Sequence, residues 1–179
     1  MQAQAILDFW FKETGADQWF TLNESFDNDI RARFHETWVA ATQDKLLYWR
    51  KDIFGRLAEI IVLDQFSRNM FRDSAEAYAH DAKALALSHE ALYAPDFFSL
   101  SRQEADFLLM PFMHSEDLLT QHQSLILFKN YGTEEAFKFA EMHKDIIEKF
   151  GRFPHRNRIL GRESTEEELQ FLQTPNNQF

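Results

Sequence analysis

Apolar residues recur at helical spacing along almost the whole chain, and this periodicity constrains the fold more than any other feature. Phe26, Ile30, Phe34 and Trp38 recur every four residues, which places them on one stripe of a long helix. No segment sustains the apolar–polar alternation of a strand, and no Asn-Gly or Asp-Gly hairpin signal occurs. The sequence therefore predicts an all-α protein.

Capping residues divide this pattern into about eight helices. Asp52 is placed to cap the apolar segment FGRLAEIIVLDQF, and Ser74 to cap the helix that follows it. Ser101 and Glu104 have the S-x-x-E spacing of a capping box, which predicts a further helix start. The helix after Asp52 is almost continuously apolar, so we expect it at the centre of the fold.

The second half of the chain has its own helix signals. We expect Pro111 to interrupt the helix that begins at Ser101, and Ser115 to cap the helix that succeeds it. Thr133 marks the start of the next helix, and Gly151 marks its end. Ser164 and Glu167 have the spacing of a capping box and predict a short final helix.

The connections between these helices are short, which favours antiparallel helical hairpins stacked in layers. The chain has only 5 Gly and 4 Pro among 179 residues, so little of it is available for linkers, and we predict a single domain over residues 1–179. A compact orthogonal helical bundle is the alternative, because no clean repeat of fixed period is present.

Composition excludes several classes of function. The chain has no cysteine, which excludes disulfides, thiolate metal sites and cysteine nucleophiles. A net charge of -10 and a pI near 5.1 argue against a nucleic-acid partner. The N-terminus lacks the basic region of a secretory signal, and the longest apolar run, Phe107 to Met113, is too short to span a membrane. We therefore expect a cytoplasmic protein without a membrane partner.

Two arginine–asparagine stretches stand out against the acidic background. LDQFSRNMFR, residues 63–72, ends the apolar helix, and FGRFPHRNRILGR, residues 150–162, holds four arginines and a histidine without any acidic residue. Gly151 and Pro154 break the helix in the second stretch, which leaves backbone donors free there. Because both stretches are helix ends with the same chemistry, we expect Arg68 and Arg156 to lie close together in space.

Guanidinium groups and free backbone N–H groups suit phosphate and carboxylate oxygens, and asparagine can orient such a ligand. We therefore predict that a small anionic ligand or a peptide carboxylate binds between Phe66 and Phe153. The predicted ligand-binding residues are Arg68, Asn69, Arg152, His155, Arg156 and Asn157. The alternative is that these arginines pair internally with some of the 29 acidic residues, as Asp64 could with Arg68 one helical turn later.

The segment HSED, residues 114–117, is a third concentration of polar residues. Glu116 and Asp117 are expected in the first turn of a helix, where the helix dipole favours negative charge. A metal site made of His114, Glu116 and either His122 or His143 has no established ligand spacing, so we predict no metal. Phosphate-loop, nucleophile-elbow and dinucleotide-binding motifs are absent, so we predict no cofactor either.

Several segments together resemble one bacterial family of uncharacterised proteins, a domain of unknown function. They are LDFWF, LDQFSRNMFR, DAKALALS, PFMHSED and HKDIIEKFGRFPHRNRILGRESTEEE. The resemblance covers Leu7 to about Leu172 and implies an all-helical fold similar to tetratricopeptide repeats, with no established activity. The family's signature residues correspond to Asp64, Gln65, Arg68, Asn69, His114, Glu116, Phe150, Arg152, His155, Arg156 and Asn157. Family members often have proline where Ser67 stands; we expect Ser67 to cap a helix at the same turn.

Three functions fit these observations. The first is a module that binds an anion or a peptide carboxylate. The second is an enzyme acting on an anionic substrate, in which Glu116 or Asp64 is the base and His155 or His114 the acid. The third is a structural or interaction protein whose arginines form internal ion pairs.

The effect of Arg156→Met on stability separates the first function from the third. If the arginines bind an anion, they repel one another in the empty site, and removing one leaves stability unchanged or higher. If Arg156 closes a buried ion pair, the same change destabilises the fold by about 3–5 kcal/mol.

Overall fold

The computed structural model of the protein describes residues 1–174, and every regular element in that range is helical. The α-helices are α1 (Ala3–Asp8), α2 (Ala16–Trp19), α3 (Glu24–Thr42), α4 (Ile53–Ile61), α5 (Ser67–Met70), α6 (Asp81–Ala91), α7 (Arg102–Met113), α8 (Leu118–Tyr131), α9 (Glu134–Phe150) and α10 (Glu166–Leu172). Two π-helical segments, Phe9–Glu13 and Val62–Phe66, continue α1 and α4. Four short 3-10 turns complete the regular structure: Leu47–Lys51, Ala75–Ala77, Phe97–Ser99 and Pro154–Arg156.

The predicted all-α fold class is confirmed. Positions 175–179 of the predicted single domain lie outside the described residues.

Helix α4 and its π-helical continuation form the buried centre of the protein. Asp52 caps α4 as predicted, because its carboxylate accepts a hydrogen bond of 2.8 Å from the Gly55 N–H. Leu57 and Ile60 are fully buried, and the helix contacts α1, α6 and α7. A helix that is apolar around its circumference is stable only when neighbours cover it, which is the arrangement observed.

Aromatic rings fill the space between the N-terminal helices and this centre. The ring of Trp10 packs against those of Trp19, Phe26, Phe66 and Phe107, with centroid separations between 5.5 and 6.1 Å. Stacked and edge-on pairs at such distances stabilise a core beyond the effect of burial alone. The Phe-rich composition therefore serves core packing in this half of the molecule.

A second, smaller apolar cluster lies at the C-terminal end of α9. Ile146 and Ile147 of α9 pack there with the fully buried Phe153 of the following turn. Gly151 ends α9 in a left-handed conformation, with φ of 68°, as the sequence predicts for a helix C-terminus. This cluster therefore fixes the arginine-rich turn against α9.

The predicted capping box of α7 and the predicted start of α9 are confirmed. Ser101 and Glu104 exchange both hydrogen bonds of the box, and the Thr133 hydroxyl accepts from the Ala136 N–H at 3.1 Å. Pro111 does not interrupt α7, however, since the helix continues to Met113. Residues 105–113 are all buried, and their packing outweighs the hydrogen bond that proline cannot donate.

Several other predicted caps are displaced. Ser74 caps only the 3-10 turn that precedes α6. Asp117, not Ser115, caps α8, because its carboxylate accepts from the Thr120 N–H at 2.8 Å. Glu116 and Asp117 thus precede the helix and do not lie in its first turn. The final capping box also lies one residue later than predicted and consists of Thr165 and Glu168.

Successive helices from α6 to α9 contact their neighbours in chain order. Such contacts are consistent with stacked hairpins and with a compact bundle, so the tetratricopeptide-like arrangement stays a prediction. Within residues 1–174, no helix combines the length and the apolar character that crossing a membrane requires.

Candidate functional site

Arg68 of α5 and Arg156 of the turn after α9 bind the same carboxylate. The Nη1 and Nη2 atoms of Arg68 donate to the two oxygens of Asp81 at 3.0 and 3.1 Å. Nη1 of Arg156 donates to Oδ2 of Asp81 at 3.2 Å. Asp81 can bridge the two guanidinium groups because it lies at the first position of α6. The predicted proximity of the two arginine–asparagine stretches is therefore confirmed for Arg68 and Arg156.

Arg156 is held between two aromatic rings. Its guanidinium carbon lies 4.5 Å from the centroid of Tyr78 and 4.6 Å from that of Phe153. Nη2 donates to the carbonyl oxygen of His114 at 3.0 Å. The residue is only 6% exposed, and its Nε is buried without a hydrogen-bond partner in the described part of the chain. Burial lowers the pKa of Arg156, and the charge of Asp81 opposes that effect.

The π-helical segment after α4 carries Asp64 into the interior, where its side chain is 1% exposed. Oδ1 lies 2.8 Å from Nδ1 of His114 and 3.0 Å from Nη1 of Arg68, and Oδ2 accepts from the Gln65 side chain at 2.6 Å. Burial alone would raise the pKa of Asp64, but the charge of Arg68 and the hydrogen bonds from His114 and Gln65 hold it well below its usual value. Single π-helical turns are frequent at functional sites.

Three histidine rings adjoin this group. The ring of His114 is 6.0 Å from that of His143, and Phe153 lies between His143 and His155 at 5.5 and 5.6 Å. Burial lowers the pKa of His143 to about 3. It also lowers the pKa of His155 to about 3, with a further contribution from the charge of Arg156. Over residues 1–174, no side chain or backbone group makes a hydrogen bond to the His155 ring.

These side chains form one continuous group, which we call the His–Arg centre. It consists of Asp64, Arg68, Tyr78, Asp81, His114, His155 and Arg156.

Two other predicted binding residues, Arg152 and Asn157, bind a different acid. Nε and Nη2 of Arg152 donate to the two oxygens of Glu168 at 2.6 and 2.8 Å. The Asn157 amide donates to Ser164 at 3.0 Å and to Glu168 at 3.3 Å. The hydrogen bonds from Arg152 lower the pKa of Glu168 to about 2. Arg152 and Asn157 thus attach α10 to the arginine-rich turn.

Asn69 and Glu116 have further partners of their own. The Asn69 amide donates to Asp27 of α3 at 2.8 Å, away from Asp81. Glu116 accepts two hydrogen bonds from Arg162, at 2.6 and 2.9 Å, and one from the Phe153 N–H at 2.8 Å. Of the predicted ligand-binding residues, the structure therefore brings Arg68, Arg156 and His155 together. The other three, Asn69, Arg152 and Asn157, bind acids elsewhere.

Tyr78, Asp81 and Glu168 are not among the site residues predicted from the sequence. Asp81 stands at the start of DAKALALS, where an acidic residue is ordinarily explained by the helix dipole alone. Glu168 is one of three consecutive acids in the first turn of α10, so nothing marks it in the sequence. Only the excess of arginines over nearby acids in both stretches indicates that partners must come from elsewhere.

Residues 6–176 match a bacterial family of proteins of unknown function, DUF924. The chain belongs to this family. Its structure is also similar to that of a protein of unknown function from Agrobacterium tumefaciens, with 40% sequence identity, a TM-score of 0.90 and 96% of each chain covered. No curated protein sequence is similar to the chain. Both descriptions leave function open.

Ser67, where the resemblance leads us to expect a helix cap, does not cap a helix in this family member. It lies at the junction between the π-helical segment and α5, with helical backbone angles. Its hydroxyl donates to the Leu63 carbonyl at 2.6 Å and accepts from the Trp38 indole at 2.8 Å. Ser67 therefore joins α3 to the central helix and leaves the helix continuous.

Two further features bear on the site. Among residues 1–174, no group of three or more His, Asp or Glu side chains is arranged to hold a metal ion. An open depression of about 370 Å³ lies on the N-terminal half and is lined by Glu13, Asn23 and Arg33, among others. Arg33 is paired there with Glu13 at 2.7 Å, and none of the sequence-predicted site residues lines the depression.

Proposed function

We propose that the protein binds a small anionic molecule, carrying a phosphate or a carboxylate, at the His–Arg centre. The observation that carries this proposal is the Nε of Arg156, which is buried without a hydrogen-bond partner in the described chain. A buried donor without a partner costs about 1–3 kcal/mol, and buried polar groups almost always have one. An anionic oxygen would satisfy it and would be attracted by the guanidinium charge.

Other donors of the same centre also lack partners within residues 1–174. The Nε of Arg68 and the Tyr78 hydroxyl make no hydrogen bond there, and neither does the ring of His155. Arg68 retains 20% exposure of its side chain, so part of the centre faces solvent. Guanidinium, phenol and imidazole donors of this kind suit the oxygens of a phosphate or carboxylate.

Of the predicted binding residues, Arg68, His155 and Arg156 would contact the anion in this proposal. Asn69, Arg152 and Asn157 already donate to Asp27 or Glu168 and would support the walls of the site. The carboxylate of a peptide is one possible carrier of the anionic group, and a phosphorylated metabolite is another.

Thermal unfolding in the presence of anions tests the proposal. Inorganic phosphate and acetate are titrated against sodium chloride at constant ionic strength, so that general screening is the same in every sample. An anion at a hundred times its dissociation constant stabilises the folded state by about 2.7 kcal/mol, which raises the melting temperature measurably.

The variant His155→Gln provides the decisive comparison. His155 makes no hydrogen bond within residues 1–174, so its replacement should preserve the fold while weakening anion binding. His122→Gln, on the exposed face of α8, is the matched control and should bind as the wild type does. Equal thermal shifts in both variants, or no shift with either anion, would contradict the proposal.

A purely structural role is the second candidate, because arginines of the 150–162 stretch have carboxylate partners. Arg152 pairs with Glu168, Arg156 with Asp81 and Arg162 with Glu116. In that case the centre serves to join helix ends, and neither phosphate nor acetate changes the melting temperature.

A further inference from the structure

The hydrogen bond between Asp64 and His114 fixes the tautomer of the histidine. Asp64 is ionised, because Arg68, His114 and the Gln65 amide hold its pKa well below the usual range. An ionised carboxylate accepts hydrogen bonds and cannot donate them. At 2.8 Å from Oδ1, Nδ1 of His114 must therefore carry the proton. In the neutral ring, this leaves the lone pair of Nε2 free.

Nε2 of His114 has no hydrogen-bond partner within the described chain. The side chain is 13% exposed, so the ring is held by its neighbours and still reaches solvent. Burial lowers the pKa of His114, while the charge of Asp64 opposes that effect. The ring is therefore neutral near pH 7, which is the state that can accept a proton.

We infer that His114 is a general base, that Asp64 is its positioning residue, and that the anion bound at the His–Arg centre is a substrate. This inference rests on the proposed function for the class of substrate, a small phosphate- or carboxylate-bearing molecule. A buried acid that fixes the tautomer of a histidine and stabilises its protonated form is the arrangement of catalytic acid–base pairs.

The step is a proton transfer. The lone pair of His114 Nε2 takes a proton from a hydroxyl group or a water molecule adjacent to the anionic group of the substrate. The electron pair of the broken O–H bond stays on that oxygen, which becomes a nucleophile. The imidazolium that forms is stabilised by Asp64, and it returns the same proton to the product at the end of the cycle.

The charged groups around His114 support this assignment. Asp64 and Asp81 favour its protonated form, whereas Arg68 disfavours it, as does the neighbouring His143 ring when that ring is charged. Burial, rather than these charges, lowers the pKa of His114 and keeps the ring neutral at rest, so that it can accept a proton. Glu116, one of the two bases considered from the sequence, has both oxygens engaged by Arg162 and the Phe153 N–H, whereas His114 was considered there as an acid. His114 is therefore the better candidate.

Two measurements on the free protein test the pair without a known substrate. Long-range nitrogen–proton NMR of the histidine rings should show His114 as the Nδ1-protonated tautomer at pH 7. Diethyl pyrocarbonate, which modifies neutral imidazole nitrogens, should modify His114, and peptide mass spectrometry gives its rate relative to exposed His122. The rate at His114 should begin to fall at a lower pH than that of a free imidazole, because burial lowers the pKa of this ring.

Asp64→Asn provides the matched variant. An asparagine amide can donate to Nδ1, which favours the wrong tautomer and should reduce modification of His114 by about 10-fold or more. Circular dichroism establishes whether this variant is folded. If it is not, the NMR tautomer of the wild type decides the question alone. An Nε2-protonated His114, or an His114 that the reagent does not reach, overturns the inference.

Protection by phosphate separates this inference from the proposed function. If phosphate slows modification of His114 and leaves His122 unaffected, both are supported. If His114 reacts as expected but phosphate gives no protection, the anion site is wrong, and the assignment of an anionic substrate fails with it. If phosphate raises the melting temperature while His114 remains unreactive, the protein binds anions without acid–base catalysis by His114.

Discussion

Arg68 and Arg156 come from helix ends far apart in the chain, and the carboxylate of Asp81 holds both. Two guanidinium groups at one carboxylate leave an excess of positive charge in a site where Arg156 is almost fully buried. Asp64 supplies the second negative charge through its 3.0 Å contact with Arg68. The centre is thus a chain of alternating charges, Asp64–Arg68–Asp81–Arg156. Replacing Arg68 or Asp81 should therefore weaken the ion pairs on both sides of the replaced residue.

Asp81→Asn removes the charge that both arginines share. We expect a loss of about 3 kcal/mol in the free energy of unfolding, because a buried cation loses its partner. Urea unfolding measures this loss. Asp73→Asn, which removes an exposed pair with Arg158, is the control and should change stability by less than about 1 kcal/mol. If an anion binds at the centre, phosphate should stabilise Asp81→Asn more than the wild type, since it replaces the missing carboxylate.

Arg156→Met should be less damaging than Asp81→Asn, because Asp81 keeps its two hydrogen bonds from Arg68. We expect a loss of about 1–3 kcal/mol, the usual cost of a buried group that loses one hydrogen-bond partner. The repulsion among arginines that the anion-binding prediction assumes is offset here, because Arg152 pairs with Glu168 and Arg156 with Asp81. A stability gain in Arg156→Met would contradict the Arg156–Asp81 ion pair.

The sequence predicted the helical fold because apolar spacing and caps are local signals. Asp52, Ser101 and Thr133 all cap the helices they were expected to cap. It failed where tertiary packing overrides local preference, as at Pro111, which lies inside a buried helix. The π-helical turn at Asp64 has no local signal of that kind.

The candidate site was predicted only in part for a related reason. Arginine-rich helix ends are visible in a sequence, so Arg68 and Arg156 could be paired by their shared chemistry. Their partner Asp81 stands where any helix tolerates an acid, and only the folded chain brings it to them. The same holds for Asp64 and His114, which come from different helices and meet through the packing of the core.

Glu168→Gln should destabilise the attachment of α10. Glu168 is 2% exposed and accepts hydrogen bonds from Arg152, Asn157 and the Thr165 N–H. We expect a loss of about 3 kcal/mol on urea unfolding, because Arg152 is left with a neutral partner. Glu167→Gln is the matched control, since its contact with Lys149 is exposed and worth less than about 1 kcal/mol. Equal effects of the two substitutions would show that the Arg152–Glu168 pair is not structural.

Gly55→Ala should destabilise the start of α4. A Cβ atom at this position would lie 1.8 Å from the backbone carbonyl oxygen of Trp49. A backbone atom cannot move aside as the end of a flexible side chain can. We expect a loss of at least about 1–3 kcal/mol from this overpacking, measured by thermal or urea unfolding. Gly15→Ala is the control, because its Cβ would meet only the side-chain oxygen of Asp17 at 3.2 Å. Wild-type stability in Gly55→Ala would mean that the two segments are further apart than described.

Stability should fall as the pH drops below about 6.5, because buried histidines stay neutral in the folded protein. The pKa of His143 is lowered by burial to about 3, so between that value and the ordinary histidine value of about 6.5 the unfolded chain binds up to one more proton at this residue. The unfolded state gains from this uptake, which reduces the free energy of unfolding by up to about 1.4 kcal/mol per pH unit. Above pH 7 this contribution is constant.

Urea unfolding at several pH values between 5 and 6.5 checks the effect, since Asp and Glu bind few protons in that interval. His143→Gln should reduce the slope of unfolding free energy against pH by up to about 1.4 kcal/mol per unit, whatever its effect on stability itself. Adding His155→Gln should reduce the slope further, because burial lowers the pKa of His155 to about 3 as well. Parallel slopes in the wild type and both variants would show that these histidines bind protons in the folded protein as they do in the unfolded chain.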